Sequence, residues 1–221
     1  MDIIEAIKNR KSTRAFLDKP VSRQTIETIL ETARWAPSGV NTQPWHVAVV
    51  SGKHKRQLGD AIIEARVSGQ TENPDYRYYP EQWQEPYTSR RKSCGMALYG
   101  ALGISRRDID KRKQAWYNNY RFFGAPVGLL FFVDKQLGQG SWIDMGMFIQ
   151  NVMLAAEAHG LATCAQASLA EYPDIVRSML DLPESYAVVC GMSVGYEDPE
   201  AAVNHYRTER EPLESFTRWY D

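Results

Sequence analysis

The stretch SWIDMGMFIQNVMLAAEAHG, residues 141–160, predicts the clearest helix in the chain. Its body is apolar nearly all round, and a helix without a polar face is buried on every side. Ser141 followed by Asp144 resembles a capping box at its start, and Gly160 is typical of the position just past a helix end. We therefore expect a helix over 142–158 that is covered by a core or by a subunit interface.

Apolar runs elsewhere in the chain predict strands. HVAVV (46–50), APVGLLFFVD (125–134) and YAVVCGMSVGY (186–196) have the composition of buried strands. Strands and helices are mixed without regular alternation, which favours an α+β fold over a doubly wound sheet.

Helical periodicity predicts further helices around these strands. A short first helix ends near Arg10, and a second begins after the N-cap candidate Ser22 and ends before Pro37. Residues 53–67 and 94–121 also have helical patterns.

Composition excludes several classes of protein. The net charge of −1 gives no reason to expect nucleic acid or an anionic membrane as partner. The three cysteines are widely spaced without a C-x-x-C motif, and the four histidines lack metal-ligand spacing, so neither a disulfide framework nor a metal site is expected. Charges interrupt the N-terminal apolar residues, and no apolar run reaches about 18 residues. We expect a cytoplasmic protein without signal peptide or membrane span.

The chain length predicts a single domain, 1–221, with an aromatic-rich excursion at about 68–123. Aromatic residues at this density invite stacking with a flat substrate, and arginines beside them could attract an anionic one. The other interpretation is that the aromatic residues pack the excursion onto the body of the domain. The candidate substrate contacts are Tyr76, Trp83, Tyr87, Arg90, Trp116, Tyr120, Phe122 and Phe123.

Four segments have compositions that suit a ligand. RKSTR (10–14) supplies three cations and a hydroxyl for a phosphate monoester. PSGVNTQPW (37–45) offers amide and hydroxyl groups on a rigid loop, as a flat polar ring edge requires. GLATCAQASLAEYPD (160–174) has small residues that allow close approach of a planar ligand, and NHYRTEREPLESF (204–216) adds two arginines. Each segment alone also has an ordinary interpretation as a solvated turn, a connection, a buried strand or an exposed tail.

Other catalytic signatures are lacking. Gly138-Gln139-Gly140 is the nearest match to a dinucleotide fingerprint, but Ile143 occupies the position of the third glycine. No P-loop or G-x-S-x-G motif occurs. Cys164 has no obvious histidine partner, so a small core residue is the better interpretation than a nucleophile.

Taken in order, the segments resemble the nitroreductase family of FMN enzymes. The resemblance runs through R-x-S-x-R (10–14), P-S-x-x-N-x-Q-P-W (37–45), G-A-P (124–126), D-x-G-x-x-x-Q-N-x-x-L-A-A (144–156), G-L-x-T (160–163), V-G-Y (194–196) and R-x-P-L (210–213). It covers almost the whole chain, and one ligand then explains all four unusual segments.

The resemblance implies a mixed sheet flanked by helices and an intertwined homodimer, with the helix at 142–158 in the interface and two FMN sites. It implies that Arg10, Lys11, Ser12, Arg207 and Arg210 surround the FMN phosphate and that Arg14 lies near the pyrimidine edge. Pro37, Ser38, Gly39, Asn41 and Gln43 would reach the FMN of the partner subunit, and Gln166, Ala167 and Ser168 would line the ring.

This sequence departs from the family pattern at two places. Ala167-Ser168 stands where many members have a Glu-Gly pair, and the family's mid-chain ring contacts have no clear counterpart in 68–93. Asn118 and Asn119 are the candidate substitutes.

The implied activity is ping-pong electron transfer from NADH or NADPH to small electron-poor acceptors such as nitroaromatics or quinones. The protein would then position two rings and tune the flavin, with Arg14 stabilising the negative charge of the reduced ring and no side chain as acid or base. The excursion resembles the nitrobenzoate-reducing subgroup. A flavin store or sensor without turnover and a structural dimer without cofactor are the alternatives, and no sign of flavin-destroying or dehalogenating chemistry is present.

Overall fold

The computed structural model describes residues 2–221. Within them, seven α-helices and four strands form an α+β fold, the class expected from the sequence. The helices are α1 (Ile3–Asn9), α2 (Arg23–Ala33), α3 (Gly52–Val67), α4 (Tyr87–Ala101), α5 (Ile109–Tyr117), α6 (Gln139–Ala158) and α7 (Pro173–Leu180). The strands are β1 (His46–Ser51), β2 (Val127–Asp134), β3 (Ala162–Gln166) and β4 (Tyr186–Gly195).

The strands form one sheet in the order β1-β2-β4-β3, and each pair of neighbours is antiparallel. An isolated parallel bridge joins Ser12 to Thr163 at the β3 edge. Seven of the eight residues of β2 are buried, so the centre of the sheet is covered on both faces.

The sheet separates two hydrophobic clusters, because successive strand residues point to opposite faces. Phe131 belongs to the cluster formed with α2 and α6, to which Phe148 and Val152 contribute. Phe132 belongs to the other cluster, which includes residues of α3, α7 and the end of the excursion. Helices therefore flank both faces of the sheet.

The first two long helices follow the sequence pattern closely. α2 begins after Ser22, whose hydroxyl accepts a hydrogen bond from the Thr25 N–H at 3.0 Å, and it ends ahead of Pro37. α3 occupies the region predicted at 53–67.

The helix predicted at 142–158 begins earlier than its capping pattern predicted. α6 starts after Gly138, which makes no side-chain cap, so the capping box at Ser141 and Asp144 is wrong. The Asp144 carboxylate accepts instead from the Gly39 N–H at 3.2 Å. Gly160, with φ of 69°, follows the helix end as expected. One face of α6 packs on the sheet, whereas Ile143 on the other face is 68% exposed.

The excursion contains two helices where the pattern at 94–121 predicted one helical stretch. α4 begins at Tyr87, and the chain leaves it at Gly103, which has φ of 64° and so takes a conformation that favours glycine. The Asp108 carboxylate then accepts from the Ser105 N–H at 2.9 Å, closing a turn before α5. The high content of Arg and Lys in this stretch gave no sign that it would divide into two helices.

The excursion is fixed to the body of the fold at Asp75. Its carboxylate pairs with Arg177 at 2.6 Å and Lys135 at 2.9 Å, and it accepts from the Val188 N–H at 3.0 Å. No helix in residues 2–221 is long and apolar enough to cross a membrane.

Candidate functional site

A cavity of about 130 Å³ brings the N-terminal basic segment and the C-terminal arginines together. Six of its lining residues were predicted as FMN contacts, and one of them, Arg14, was expected at the pyrimidine edge and not at the phosphate. Cys94 of α4, Tyr206 and Thr208 complete it and were not predicted individually. The full lining is Arg10, Lys11, Ser12, Arg14, Cys94, Tyr206, Arg207, Thr208 and Arg210.

Asn204 holds the two segments of this cavity against each other. It is 1% exposed, and its amide oxygen accepts from the Arg14 N–H at 2.9 Å. Its side-chain amide nitrogen donates to the Ala15 carbonyl at 2.9 Å, and its backbone carbonyl accepts from the Lys11 ammonium at 2.6 Å. Asn204 lies in the segment 204–216 that the sequence singled out, but an asparagine in a polar tail gives no signal that it is buried.

Arg207 binds the end of α1. Its guanidinium donates to the carbonyls of Lys8 at 2.5 Å and Asn9 at 2.7 Å, which are free because they lie in the last turn. Cations also interact favourably with the negative end of a helix dipole. Arg207 therefore lines the cavity in a fixed orientation.

The other cations differ in how far they are neutralised. Lys11 forms an ion pair with Glu197 at 2.7 Å. Arg14 donates to the Tyr206 hydroxyl at 2.9 Å, whereas Arg210 bonds only its own loop, as in the contact with the Thr208 hydroxyl at 2.9 Å. Within residues 2–221, Arg10, Arg14 and Arg210 have no carboxylate partner, so the cavity keeps positive charge for an anion.

Two titratable groups at this cavity are partly removed from water. Burial raises the pKa of Tyr206, although the Arg14 charge opposes the shift. Burial and the Glu197 charge raise the pKa of Glu157 on α6, against the cations around it. Partial removal from water strengthens charge interactions, which favours tight binding of a phosphate.

The basic segment lies beside β3 and the turn that follows it. The Thr13 N–H donates to the Thr163 carbonyl at 3.0 Å. At the end of β3, Gln166 is 3% exposed and uses both ends of its side-chain amide: it donates to the Asn119 carbonyl and accepts from the Ser193 hydroxyl, each at 2.6 Å. Gln166 was expected to line the flavin ring. In the structure its side chain joins the end of β3 to Ser193 of β4 and to Asn119.

The loop 37–45 occupies a separate place in the same chain. None of its residues lines the cavity. Val40, Asn41 and Gln43 all have left-handed backbone conformations, with φ of 44°, 59° and 49°. Such conformations are costly for residues other than glycine and occur at functional sites. The Ser38 hydroxyl accepts from the Gln43 N–H at 3.0 Å and helps to hold the loop.

The structure corrects two candidate substrate contacts. Tyr120 and Phe122 are both 0% exposed and belong to the second hydrophobic cluster, because the end of the excursion folds under the sheet. Tyr76 is half-buried, and its hydroxyl donates to the Val189 carbonyl at 2.6 Å. Tyr87 and Trp116 remain accessible, at 57% and 38%. The packing interpretation therefore applies to Tyr76, Tyr120 and Phe122, and stacking with a substrate stays a prediction for Tyr87 and Trp116.

Two of the remaining candidates, Trp83 and Arg90, lie beside or on α4. Arg90 pairs with Glu211 at 2.9 Å and so joins α4 to the C-terminal segment. Arg91 lies over the ring of Trp83, 5.1 Å from its centroid. Phe123 is half-buried.

Three features of this region fit a phosphate ester that carries a flat polar ring, as FMN does. The cations of the cavity suit the phosphate, and β3 leads directly from them to the small-residue turn Ala167–Ala170. The buried hydroxyls of Thr13, Thr163 and Ser168 have no hydrogen-bond partner within residues 2–221. Buried hydroxyls are normally satisfied, and Ser168, at 7% exposed in the turn itself, is the least enclosed of the three and the one best placed to bond a ligand.

The profile of the Nitroreductase family matches residues 7–196, which is most of the chain. The chain belongs to the nitroreductase family. The resemblance inferred from the sequence motifs is thereby confirmed. Among curated nitroreductases, the 4-nitrobenzoate reductase of Nocardioides sp. (strain LMS-CY) is 41% identical, over 94% of this chain and 85% of the relative. The nitrobenzene nitroreductase of Ectopseudomonas oleovorans is 40% identical, over 97% and 95%.

Solved nitroreductase structures match the fold over its full length. The FMN and NADPH-dependent nitroreductase NfnB of a Sphigopyxis strain (HMH) has a TM-score of 0.97 and 40% identity, and each chain is covered completely. The FMN-dependent nitroreductase NfnB of Mycobacterium smegmatis, solved in complex with NADPH, has a TM-score of 0.94 and 38% identity, over 99% of this chain and 97% of that one.

Proposed function

We propose that the protein is an FMN-dependent NAD(P)H nitroreductase that passes electrons to small electron-poor acceptors such as nitroaromatics or quinones. The observation that carries this proposal is the single cavity in which the predicted phosphate contacts of both chain ends meet, next to unpartnered hydroxyls. The relatives named as 4-nitrobenzoate and nitrobenzene reductases support nitroaromatics as the acceptor class.

The chain offers distinct groups to the two ends of FMN. Arg10, Ser12 and Arg210, with Lys11 and Arg207, would hold the phosphate, since guanidinium groups bind phosphate oxygens in pairs. Ala167 and Ser168 would line the ring, and the Ser168 hydroxyl would gain a partner there.

When bound, FMN supplies the redox chemistry, taking electrons from the nicotinamide and giving them to the acceptor. The chain contributes binding and orientation. Arg14, fixed by the Tyr206 hydroxyl, would stabilise negative charge on the reduced ring, and the small residues of the Ala167–Ala170 turn would leave room for a stacked second ring. One solved relative is described as a complex with NADPH. We therefore propose NADPH as the electron donor, with NADH as the comparison.

A second copy of the chain would complete the site. Three apolar side chains are exposed in this region: Val40 lies in the loop 37–45, Trp35 lies just before it, and Ile143 lies on α6. Exposed apolar groups that cluster mark interaction surfaces. We propose a homodimer in which this loop, with Pro37, Ser38, Gly39, Asn41 and Gln43, reaches the partner's FMN. The sheet shared by both hydrophobic clusters supports one domain over 1–221, and three free cysteines support a cytoplasmic location.

Steady-state kinetics test the proposed turnover. With NADPH and 4-nitrobenzoate both varied, double-reciprocal plots should give parallel lines, because one site releases the oxidised donor before it binds the acceptor. Intersecting lines would contradict alternate use of one site. A yellow protein that neither donor reduces would favour a flavin store over an enzyme.

A further inference from the structure

A half-buried carboxyl group lies at the end of the turn proposed to line the flavin. Glu171 follows the Ala167–Ala170 turn directly, and its side chain is 20% exposed. Its carboxylate accepts from the Tyr120 hydroxyl at 2.5 Å and from Arg66 of α3 at 3.0 Å. Neither the phosphate cavity nor the proposed electron transfer uses this group.

Tyr120 is a fully paired residue and not a surface aromatic. Its hydroxyl accepts from the indole of Trp116 at 3.1 Å and from Arg66 at 3.0 Å while it donates to Glu171. A polar network that is partly removed from water favours one arrangement of its members. The network therefore determines where Tyr120 and Glu171 lie relative to each other.

Two adjacent residues of one segment bind the two ends of the turn. Asn119 accepts from Gln166, immediately before the turn, and Tyr120 donates to Glu171, immediately after it. The middle of the turn packs on β4, because a Cβ at Gly191 would lie only 2.1 Å from the Leu169 Cδ1 atom. The turn is thus held at both ends and from below.

We propose that Glu171 and Tyr120 are positioning residues that hold the Ala167–Ala170 turn in place for FMN without touching it. This inference rests on the proposed function. The charged form of Glu171 makes the stronger bonds, since hydrogen bonds to a carboxylate are roughly twice as strong as neutral ones. FMN affinity should therefore rise as Glu171 ionises.

The ionisation falls in an accessible pH range. Burial raises the pKa of Glu171 to about 7; the Tyr120 hydrogen bond and the Arg66 charge lower it, and the Glu72 charge raises it. The titratable and charged groups that face Glu171 are Arg66 of α3, Glu72 after α3, Tyr79 of the excursion, Tyr120 after α5, and Tyr172 next to it in the chain.

The experiment measures the FMN dissociation constant of the reconstituted full-length protein by flavin fluorescence between about pH 5.5 and 8.5. We expect wild-type affinity to rise several-fold with a midpoint near pH 7. E171Q should remove this rise and keep only the titration of the FMN phosphate, which loses its second proton near about pH 6. E184Q, which removes an exposed glutamate elsewhere, is the matched control and should follow the wild type.

Two further variants should shift the midpoint in opposite directions. Y120F removes a hydrogen bond that lowers the pKa of Glu171, so the midpoint should move to higher pH. E72Q removes a charge that raises it, so the midpoint should move to lower pH. A purely structural role would weaken binding in both variants without these opposite shifts, and urea unfolding of each variant identifies loss of folding.

The outcomes separate the two proposals. Wild-type FMN binding with the same pH profile in E171Q, or affinity that falls as Glu171 ionises, overturns the positioning role and leaves the enzyme intact. A wild-type protein that binds no FMN overturns the proposed function and this inference with it.

Discussion

Arg14 is the side chain that we expect to tune the redox potential of bound FMN. It has no carboxylate partner within residues 2–221, and the Tyr206 hydroxyl orients it at 2.9 Å. R14A should lower the midpoint potential of bound FMN by roughly 20–40 mV, because about 1–2 kcal/mol of stabilisation of the reduced ring would be lost. R14K keeps the charge and should show a smaller change. Anaerobic potentiometry measures both, and an unchanged potential in R14A would remove Arg14 from the tuning role.

Single residues were predictable from sequence where chemistry and position coincide. The basic segment 10–14 and Arg207 and Arg210 were expected together, and they do line one cavity. Tyr120 was misplaced because an aromatic residue in a polar segment has the same composition whether it is buried or exposed. Glu171 was missed because a lone glutamate carries no periodic or motif signal, and its environment depends on contacts with residues distant in sequence.

The turn between β3 and α7 depends on a close contact between elements. A methyl group at Gly191 would lie 2.1 Å from the Leu169 Cδ1 atom and 3.0 Å from its Cβ atom, and Leu169 is fully buried. G191A should cost about 1–3 kcal/mol of unfolding free energy, as overpacking does. Urea titration of the apoprotein measures it, with L169A in the same background expected to restore part of the loss. G100A on α4, where nothing lies within 4 Å, is the control and should cost nothing.

The attachment of the excursion should be sensitive to acid. Burial alone would raise the pKa of Asp75, but hydrogen bonds from Arg177, the Val188 N–H and Lys135 outweigh it, so the pKa lies below its ordinary value. Its contribution to stability is therefore present above the unfolded-state pKa, about 3.9, and lost as pH falls through the folded-state pKa.

D75N should destabilise the fold by about 1.5–3 kcal/mol near neutral pH, because Arg177 would lose one of its two carboxylate partners and keep only Asp174. It should also show a weaker loss of stability below about pH 4 than the wild type. Urea unfolding at several pH values tests both effects. Equal acid sensitivity in the two proteins would mean that Asp75 is not ion-paired.

At the scale of elements, periodicity located most helices and strands, whereas their ends depended on local geometry. α2 ends where Pro37 requires, but α6 starts ahead of Ser141, and Asp144 binds the N–H of Gly39, far away in sequence, and does not cap the helix. The division of the excursion into α4 and α5 depends on the left-handed Gly103. A glycine in a basic stretch does not by itself reveal that conformation.

The exposed apolar surface on α6 and the loop 37–45 should be covered by a second copy. Ile143 on α6 and Ile109 on α5 are similarly exposed, at 68% and 73%, but only Ile143 lies on the proposed interface. I143D should give a monomer with FMN affinity reduced at least about tenfold, since a charge would be buried without a partner. I109D should remain a dimer. Sedimentation velocity decides, and a dimer in both variants would place the interface elsewhere.

The fold of the whole molecule was predictable because the motifs match in order along nearly the entire chain. The site was predictable only in part, since the loop 37–45 does not line the cavity of its own chain and its role depends on a partner surface. A single sequence does not show directly which residues face another subunit. Exposed apolar side chains indicate such a surface, but their exposure is known only once the fold is known.

The proposed function requires this chain to hold FMN and to cycle electrons from NAD(P)H to a nitroaromatic compound. An anaerobic absorbance titration of the FMN-reconstituted protein tests this requirement. We predict flavin bands that bleach on addition of NADPH and return on addition of 4-nitrobenzoate. A protein that binds no FMN, or whose bound flavin neither NADPH nor NADH bleaches, would contradict the proposed function.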